Sequence, residues 1–361
     1  MYSFEPNEEQ QMLIDAVSRY AEKDLRAAAE EAEEHAKFPD GLIEKGWEMG
    51  VLQASIPEEY GGFGEYSSVT GALAAEELAY GDLPGAMAVM TPNLFVLPIL
   101  LAGSEEQKQE FIPPVIEMEW KAYTAALVEK SFDFDPGDLK TTAVADGDDF
   151  VLNGAKTYVP FADGAEAMVV YANVDGVTQG FVVPGDAEGL SVSEEANKLM
   201  SLKALPMYDV VLEDVRVPAA NRLEGNFEAV MAASRVALSA MAVGVAKASL
   251  DYAANYAKER TVFGVKVAQK QAIAFMMAEM AMEIEATRLL TWEAAWKLDT
   301  EKDDAYKAAY LAATAAIDMV MMVTDRGVQI LGGHGYIRDH PVERWMRNGR
   351  GFATFTGLMI V

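Results

Sequence analysis

Apolar positions in the first third of the chain recur at helical spacing. Residues 8–36, rich in Ala, Glu, Leu and Arg, predict a helix. Residues 43–52 and 69–80 predict two more amphipathic segments, separated by the turn-forming Pro57-Glu-Glu-Tyr-Gly-Gly62. From about residue 122 the period shortens. In KTTAVADGDDFVLNGAKTYVPF apolar and polar positions alternate, and Asp146-Gly147 and Asn153-Gly154 interrupt them with dipeptides that favour tight hairpins. AMVVYANV, TQGFVVP and MYDVVLEDVRVP continue in that style to Pro218. After Phe227 the helical period returns. Ile273, Met276, Met277, Met280 and Ile284 form a stripe that predicts a core face, with Glu279, Glu283 and Glu285 elsewhere on the wheel. The pattern predicts an α+β chain in three parts: helical over residues 1–120, a β domain over 121–226 and a helical bundle over 227–361.

Composition narrows this picture. A chain of 361 residues exceeds a single compact core, and 51% hydrophobic residues argue for a folded protein. With 57 acidic against 29 basic residues, the net charge of −28 opposes nucleic acid and anionic membrane as partners. Any anionic ligand must therefore meet a local basic cluster. There is no cysteine, hence no disulfide, thiolate nucleophile or Cys-ligated metal. His35, His334 and His340 do not form a metal-ligand pattern. No apolar run approaches the ~18 residues of a membrane span, and the acidic residues 1–11 are unlike a signal peptide. A cytoplasmic protein is expected.

Two motifs look built to hold a nucleotide. In Arg260-Thr-Val-Phe-Gly264, followed by Gln271, Arg260 offers a bidentate donor to a pyrophosphate and Phe263 a face for adenine or ribose. In Gln329-Ile330-Leu331-Gly332-Gly333-His-Gly-Tyr336, Gln329 and the glycine N–H groups can approach phosphate unobstructed. The plainer alternative is a helix-ending glycine pair and a surface-paired arginine. Together with Ile56-Pro-Glu-Glu-Tyr-Gly-Gly62, Ala75-Glu-Glu-Leu78, Leu212-Glu-Asp-Val-Arg-Val-Pro218 and the run from Pro341-Val-Glu-Arg344 to Arg347, these motifs resemble the acyl-CoA dehydrogenase family over essentially the whole chain. The resemblance implies an N-terminal α domain, a central β-barrel-like domain and a C-terminal four-helix bundle through which subunits assemble. It also implies FAD, an acyl-CoA substrate, an electron-transfer flavoprotein as partner, and a carboxylate that removes the α proton while hydride leaves to the flavin. The implied cofactor residues are Arg260, Phe263, Gln271, Gln329, Ile330, Leu331, Gly332 and Gly333, which in the family contact the ADP portion of FAD in the neighbouring subunit.

The other half of the implied site departs from the family. Where members read A-L-T-E-P-G-A-G-S-D, the chain has Ala126-Leu-Val-Glu-Lys-Ser-Phe-Asp-Phe-Asp135. Val128 lacks the threonine hydroxyl, Phe132 and Phe134 replace small residues, and Asp133 and Asp135 would repel CoA. W-I-T-N appears as Tyr158-Val-Pro-Phe161, and Pro160 has neither hydroxyl nor N–H. The family's base position, within I-Y-E-G-T, falls on Thr356, which is no base at neutral pH without an activator. The family's following helix is expected to be missing, with four residues after Gly357. Glu129 keeps a structural family position. Asp251 and Glu259 are candidates for a relocated base, although solvated acids, with Glu259 offsetting Arg260, are the better reading. So one-sided a loss predicts no catalytic residue in this chain. The chain then resembles the base-lacking subunit of heteromeric, steroid side-chain type acyl-CoA dehydrogenases: an α2β2 assembly with FAD shared with a homologous partner subunit. A self-sufficient homotetramer with a relocated base and a non-catalytic assembly subunit remain the alternatives.

Overall fold

A computed structural model describes residues 6–117 and 119–361; Glu5, part of the acidic start, lies outside them. Seven helices come first among the described residues: α1 (Glu8–Tyr20), α2 (Arg26–His35), α3 (Leu42–Trp47), α4 (Ser68–Gly81), α5 (Leu83–Val89), α6 (Asn93–Ala102) and α7 (Glu105–Phe111). Strands follow: β1 (Tyr123–Ala126), β2 (Thr142–Asp146), β3 (Asp149–Pro160), β4 (Ala167–Val174), β5 (Val177–Pro184), β6 (Leu190–Val192), β7 (Met207–Pro218) and β8 (Arg222–Leu223). The chain then forms α8 (Phe227–Glu259), a small hairpin of β9 (Thr261–Val262) and β10 (Val265–Lys266), α9 (Gln271–Asp299), α10 (Ala305–Leu331) and α11 (Val342–Gly351).

Local chemistry sets the boundaries. Asn7 and Gln10 close a reciprocal capping box at the start of α1, and Ser104 and Gln107 do the same for α7. The single helix predicted over residues 8–36 is interrupted by a π-turn at Ala21–Leu25, which lets Tyr20, Ala21 and Leu25 all reach the interior. Asp146-Gly147 makes the predicted hairpin, with Asp146 opposite Asp149. Asn153-Gly154 does not turn. It is a register shift inside β3, where the Asn153 side chain exchanges two hydrogen bonds with Asp214, at 3.0 and 2.9 Å, in place of ladder bonds. The sheet has eight strands along the path β6-β7-β3-β2-β4-β5-β8, with β1 joining β4 in parallel. Its path ends at β6 and β8 instead of closing.

Helix α8 is the axis of the helical core, packed against α4, α9 and α10. The C-terminal part contributes three long helices and the short α11, and α4 completes the packing around α8. Contrary to the sequence expectation, two helices, Phe227–Glu259 and the one running through Ala305–Tyr336, are long and apolar enough to cross a membrane. In the first, 89% of the most apolar 18-residue window is buried inside the protein, so its apolarity serves the core. In the second only 39% is buried. Of the predicted stripe on α9, Met280 and Ile284 are buried, while Ile273, Met276 and Met277 are half-buried. The opposite face of α9 carries a second row that the pattern did not announce. Phe275, Met282 and Leu289, seven residues apart, are 58%, 63% and 39% exposed. Tyr310 and Leu311 of α10 are exposed as well.

Candidate functional site

The end of β1, the end of β3 and the C-terminal tail converge on a cleft of about 620 Å³. It brings together five of the residues at which the sequence departs from the family, Val128, Phe132, Phe134, Tyr158 and Thr356, but not Pro160, Asp133 or Asp135. The carbonyl of Val128 accepts the Thr157 N–H at 2.8 Å, so this backbone is already engaged within the chain. Ser131 donates its hydroxyl to Asp133, Thr354 donates to the Gly351 carbonyl at 2.8 Å, and Lys130 pairs with Asp209. Tyr158 and Phe161 both adopt left-handed backbone, at φ +56° and +50°, rare for aromatic residues. The ring of Phe161 then meets Trp120 edge-on at 5.0 Å, and Tyr158 becomes part of the cleft wall. With Pro160 between them, the segment presents neither of the two donors expected of a flavin seat. The cleft thus lacks the side-chain donors that the family resemblance implies for a flavin ring.

Beneath the cleft, Glu129 is structural, as expected. It is 8% exposed and accepts the Lys140 and Thr141 N–H groups at 2.8 and 2.9 Å and Lys156 Nζ at 2.8 Å. Burial raises the Glu129 carboxyl, but the bonds from Lys156, Thr141 and Lys140 outweigh it and hold the group at about 2. Burial pulls Lys156 down to about 8 against the attraction of Glu129, so both charges persist at neutral pH. Arg347 is likewise structural. It grips Glu343 through two bonds of 2.8 and 3.0 Å and donates at 2.6 Å to the carbonyl of Met200, holding a segment whose neighbours Leu199 and Ser201 line the cleft.

A second cavity, of about 350 Å³, lies between α8 and α10, and Thr356 lines both spaces. Ser234, Arg235, Tyr310 and Asp135 also line it. Sequence reasoning missed Ser234 and Arg235, because nothing local connects α8 to a tail more than a hundred residues later. Arg235 pairs with Glu228 at 3.2 Å. Asp135 is the one carboxylate lining this cavity; it is exposed, and an oxygen of it accepts the Gly137 N–H at 2.8 Å.

The proposed bases sit elsewhere. Asp251 is twelve residues beyond Ser239 on α8, roughly 18 Å along the helix, where it accepts from Tyr80 at 3.1 Å. There it borders a separate cavity of about 330 Å³, whose lining includes the Glu76–Arg288 and Glu77–Lys247 ion pairs. Glu259 ends α8, farther still, and among the described residues it forms no ion pair with Arg260; its carbonyl accepts Lys266 Nζ at 2.6 Å. Neither carboxylate reaches Thr356.

The nucleotide motifs occupy another face. Arg260, Phe263, Gln271, Gln329, Gly332 and Gly333 are all exposed, Phe263 by 92%. Arg260 follows Ser239 by twenty-one residues, which sets it roughly 30 Å along α8 from the second cavity. Among the described residues its guanidinium has no ion-pair partner. Gly332, at φ +60° and ψ −131°, takes a backbone only glycine adopts readily, and nothing lies within 4 Å of where a Cβ would stand. Two stacked imidazoles brace this turn: His334 and His340 lie 5.4 Å apart, and their Nδ1 atoms meet the hydroxyls of Tyr256 and Tyr252 at 2.8 and 2.7 Å. Ile330 and Leu331, by contrast, turn their side chains into the core at 4% exposure, so only their backbone can face a nucleotide. An exposed cation, a presented aromatic ring and an open glycine turn suit the ADP portion of a dinucleotide. Among the described residues no cluster suited to a metal ion occurs.

Comparison with known proteins places these features. Three domain models match in turn: acyl-CoA dehydrogenase, N-terminal domain, over residues 7–119; middle domain, over 124–215; and C-terminal domain, over 226–358. The mitochondrial short-chain specific acyl-CoA dehydrogenase of Sus scrofa is 35% identical over 361 residues, covering 96% of this chain and 86% of its own. The caffeyl-CoA reductase-Etf complex subunit CarC of Acetobacterium woodii is 35% identical over 364 residues, covering 97% and 95%. The structure of butyryl-CoA dehydrogenase from Megasphaera elsdenii matches with a TM-score of 0.88 at 30% identity, covering 99% of this chain and 96% of that one. A helical–sheet–helical chain with this pair of nucleotide motifs, matched along nearly its whole length, belongs to the acyl-CoA dehydrogenase family.

Proposed function

We propose that this chain is the base-lacking subunit of an α2β2 acyl-CoA dehydrogenase. Family membership brings FAD-dependent dehydrogenation of CoA thioesters; the division of labour is our reading. The observation that carries it is the separation of two surfaces. Arg260, Phe263, Gln271, Gln329 and Gly332–Gly333 face outward, whereas in the chain's own cleft Val128 offers no side-chain donor and Thr356 no carboxylate. In the assembly Arg260 would neutralise the pyrophosphate, Phe263 would cover the adenosine and the Gly332–Gly333 amides would donate to phosphate. FAD supplies the hydride acceptor, held mainly by a homologous partner subunit that also carries the base. An electron-transfer flavoprotein is the electron acceptor we assign, in line with an Etf-complex subunit among the relatives. A steroid side-chain thioester is the substrate class suggested by resemblance to heteromeric members. The apolar row Phe275, Met282 and Leu289 offers a helix face for the partner.

Co-expression with a homologous subunit followed by flavin counting tests this. Half-occupancy of the tetramer by FAD is expected, and little FAD on the lone chain. A lone chain that carries full FAD and oxidises acyl-CoA would overturn the reading. Thr356→Glu supplies a sharper arm: in the lone chain the new carboxylate has no flavin to serve, so reduction of an artificial acceptor by butyryl-CoA should stay at background. Activity in that variant would show that a flavin seat exists here.

A further inference from the structure

The run from Pro341 to Arg347 carries a charge that the proposed activity does not use. Arg344 is 7% exposed, yet among the described residues its guanidinium makes no hydrogen bond and no ion pair. An arginine stays charged in a protein, so a buried one calls for a counter-charge. Asp82, 3% exposed, faces it, but that carboxyl caps α5 by accepting the Gly85 N–H at 3.0 Å. Burial pushes Asp82 up to about 6, outweighing the opposite pull of Arg344 and Arg26, and Glu33 adds to the rise. A carboxylate in a close pair with arginine would move the other way. Neighbouring donors are orphaned as well. On α11, Trp345 and Asn348 are 2% and 0% exposed, and neither Trp345 Nε1 nor Asn348 Nδ2 has a partner. Asn348 lies one turn from Arg344 on the same helix face. From α2, Arg26 donates to the Tyr80 carbonyl and sets its guanidinium 5.6 Å from the Trp345 ring, leaving Nε unpartnered. Glu33 is shared by Arg347 and Lys203 at 2.7 and 3.2 Å, and Arg347 also holds Glu343. Arg26, Lys203, Arg344 and Arg347 thus meet three carboxylates, Glu33, Asp82 and Glu343, and the exposed Arg338 faces Glu343 too. Positive charge is left over beside four N–H donors that lack an acceptor.

We propose that Arg344, with Arg26, Trp345 and Asn348, binds a small monovalent anion of the halide class. One unmatched charge beside N–H donors suits a halide and not a dianion. The ion ties α11 to α2 and α5, and so steadies the helix that leads to the segment bearing Thr356. The site stands apart from the subunit assignment and does not depend on it.

Thermal unfolding of the full-length chain in sodium chloride against sodium gluconate, at equal ionic strength, tests it. Strongly hydrated anions excluded from the surface generally stabilise proteins, so gluconate is a demanding reference. The midpoint should rise saturably with chloride, by roughly 3–5 °C, as expected for a ligand at about 100 times its Kd. Arg344→Met should abolish that rise. No chloride-specific rise in the parent would mean that water alone meets these donors, and overturns the site. An equal rise in a folded Arg344→Met overturns it as well, because chloride then acts elsewhere. Should Arg344→Met fail to fold, Trp345→Phe keeps a ring and removes one donor. It should raise the half-saturating chloride concentration by about tenfold; an unchanged value overturns the proposal. In crystals soaked in bromide, anomalous scattering should place an ion against the Arg344 guanidinium. Bromide found only at other places is an adventitious ion only and counts against the site.

Discussion

Lys156→Met is expected to destabilise the chain by about 3–5 kcal/mol, the loss typical when one member of a buried ion pair is removed. The Lys156 side chain is fully buried and Glu129 nearly so. Lys156 Nζ is held by Glu129 at 2.8 Å and by the Leu127 carbonyl at 3.2 Å. Methionine fills much of the volume but leaves the carboxylate with two backbone donors and no counter-charge. Replacing both partners, as in Lys156→Met/Glu129→Leu, removes the orphaned charge and should recover part of the loss. That recovery is limited here, because the Lys140 and Thr141 N–H groups then lose their acceptor. Urea unfolding of the three proteins decides the point; a single variant within about 1 kcal/mol of the parent would contradict the assigned burial. The pH dependence has a definite sign. The folded-state Glu129 group titrates at about 2, below its ordinary 4.5. Its stabilising contribution is therefore complete above about pH 4.5 and vanishes as pH falls toward 2. The parent and Glu129→Gln should differ most at neutral pH and converge across that acid window.

Arg260→Ala should lower FAD retention by the co-expressed complex by about 100-fold, roughly 3 kcal/mol, as expected for loss of charge-assisted bonds to a phosphate. The thermal midpoint of the chain should be unchanged, since Arg260 is exposed and has no ion-pair partner among the described residues. That combination separates a ligand-facing arginine from a structural one. Arg347, whose guanidinium binds Glu33, Glu343 and the Met200 carbonyl, should behave in the opposite way, losing stability before flavin. Retention of FAD by Arg260→Ala equal to that of the parent would argue for a chain that preserves the fold only as an assembly surface.

Much of this arrangement is legible in the sequence because the decisive signals are local. The helical and alternating periods, Asp146-Gly147 and the two nucleotide motifs each lie within a few residues, and the structure leaves Arg260, Phe263, Gln271, Gln329, Gly332 and Gly333 exposed. What escapes is non-local. Asn153-Gly154 resembles a turn until Asp214, sixty-one residues away, supplies the partner that makes it a bulge. Ile330 and Leu331 sit inside a binding motif, yet α10 directs their side chains inward. The row Phe275, Met282 and Leu289 hides in an apolar sequence whose other face is the true core, and period alone cannot tell two apolar faces apart. Ser234 and Thr356 meet only because the tail folds back on α8.

The left-handed turns at Tyr158 and Phe161 bear on how such a chain can change. Backbone of that kind costs of order 1–3 kcal/mol per residue and persists only where its surroundings enforce it; here Phe161 is clasped by Trp120 and by the Pro206 carbonyl. A flavin seat and base of the family's kind would take a hydroxyl at position 128, a different residue at 160 and an acid at 356. None of these confers anything until the others are in place. On the proposed reading, a self-sufficient site is therefore several coordinated substitutions away in this chain, with the two left-handed turns holding the intervening segment in place.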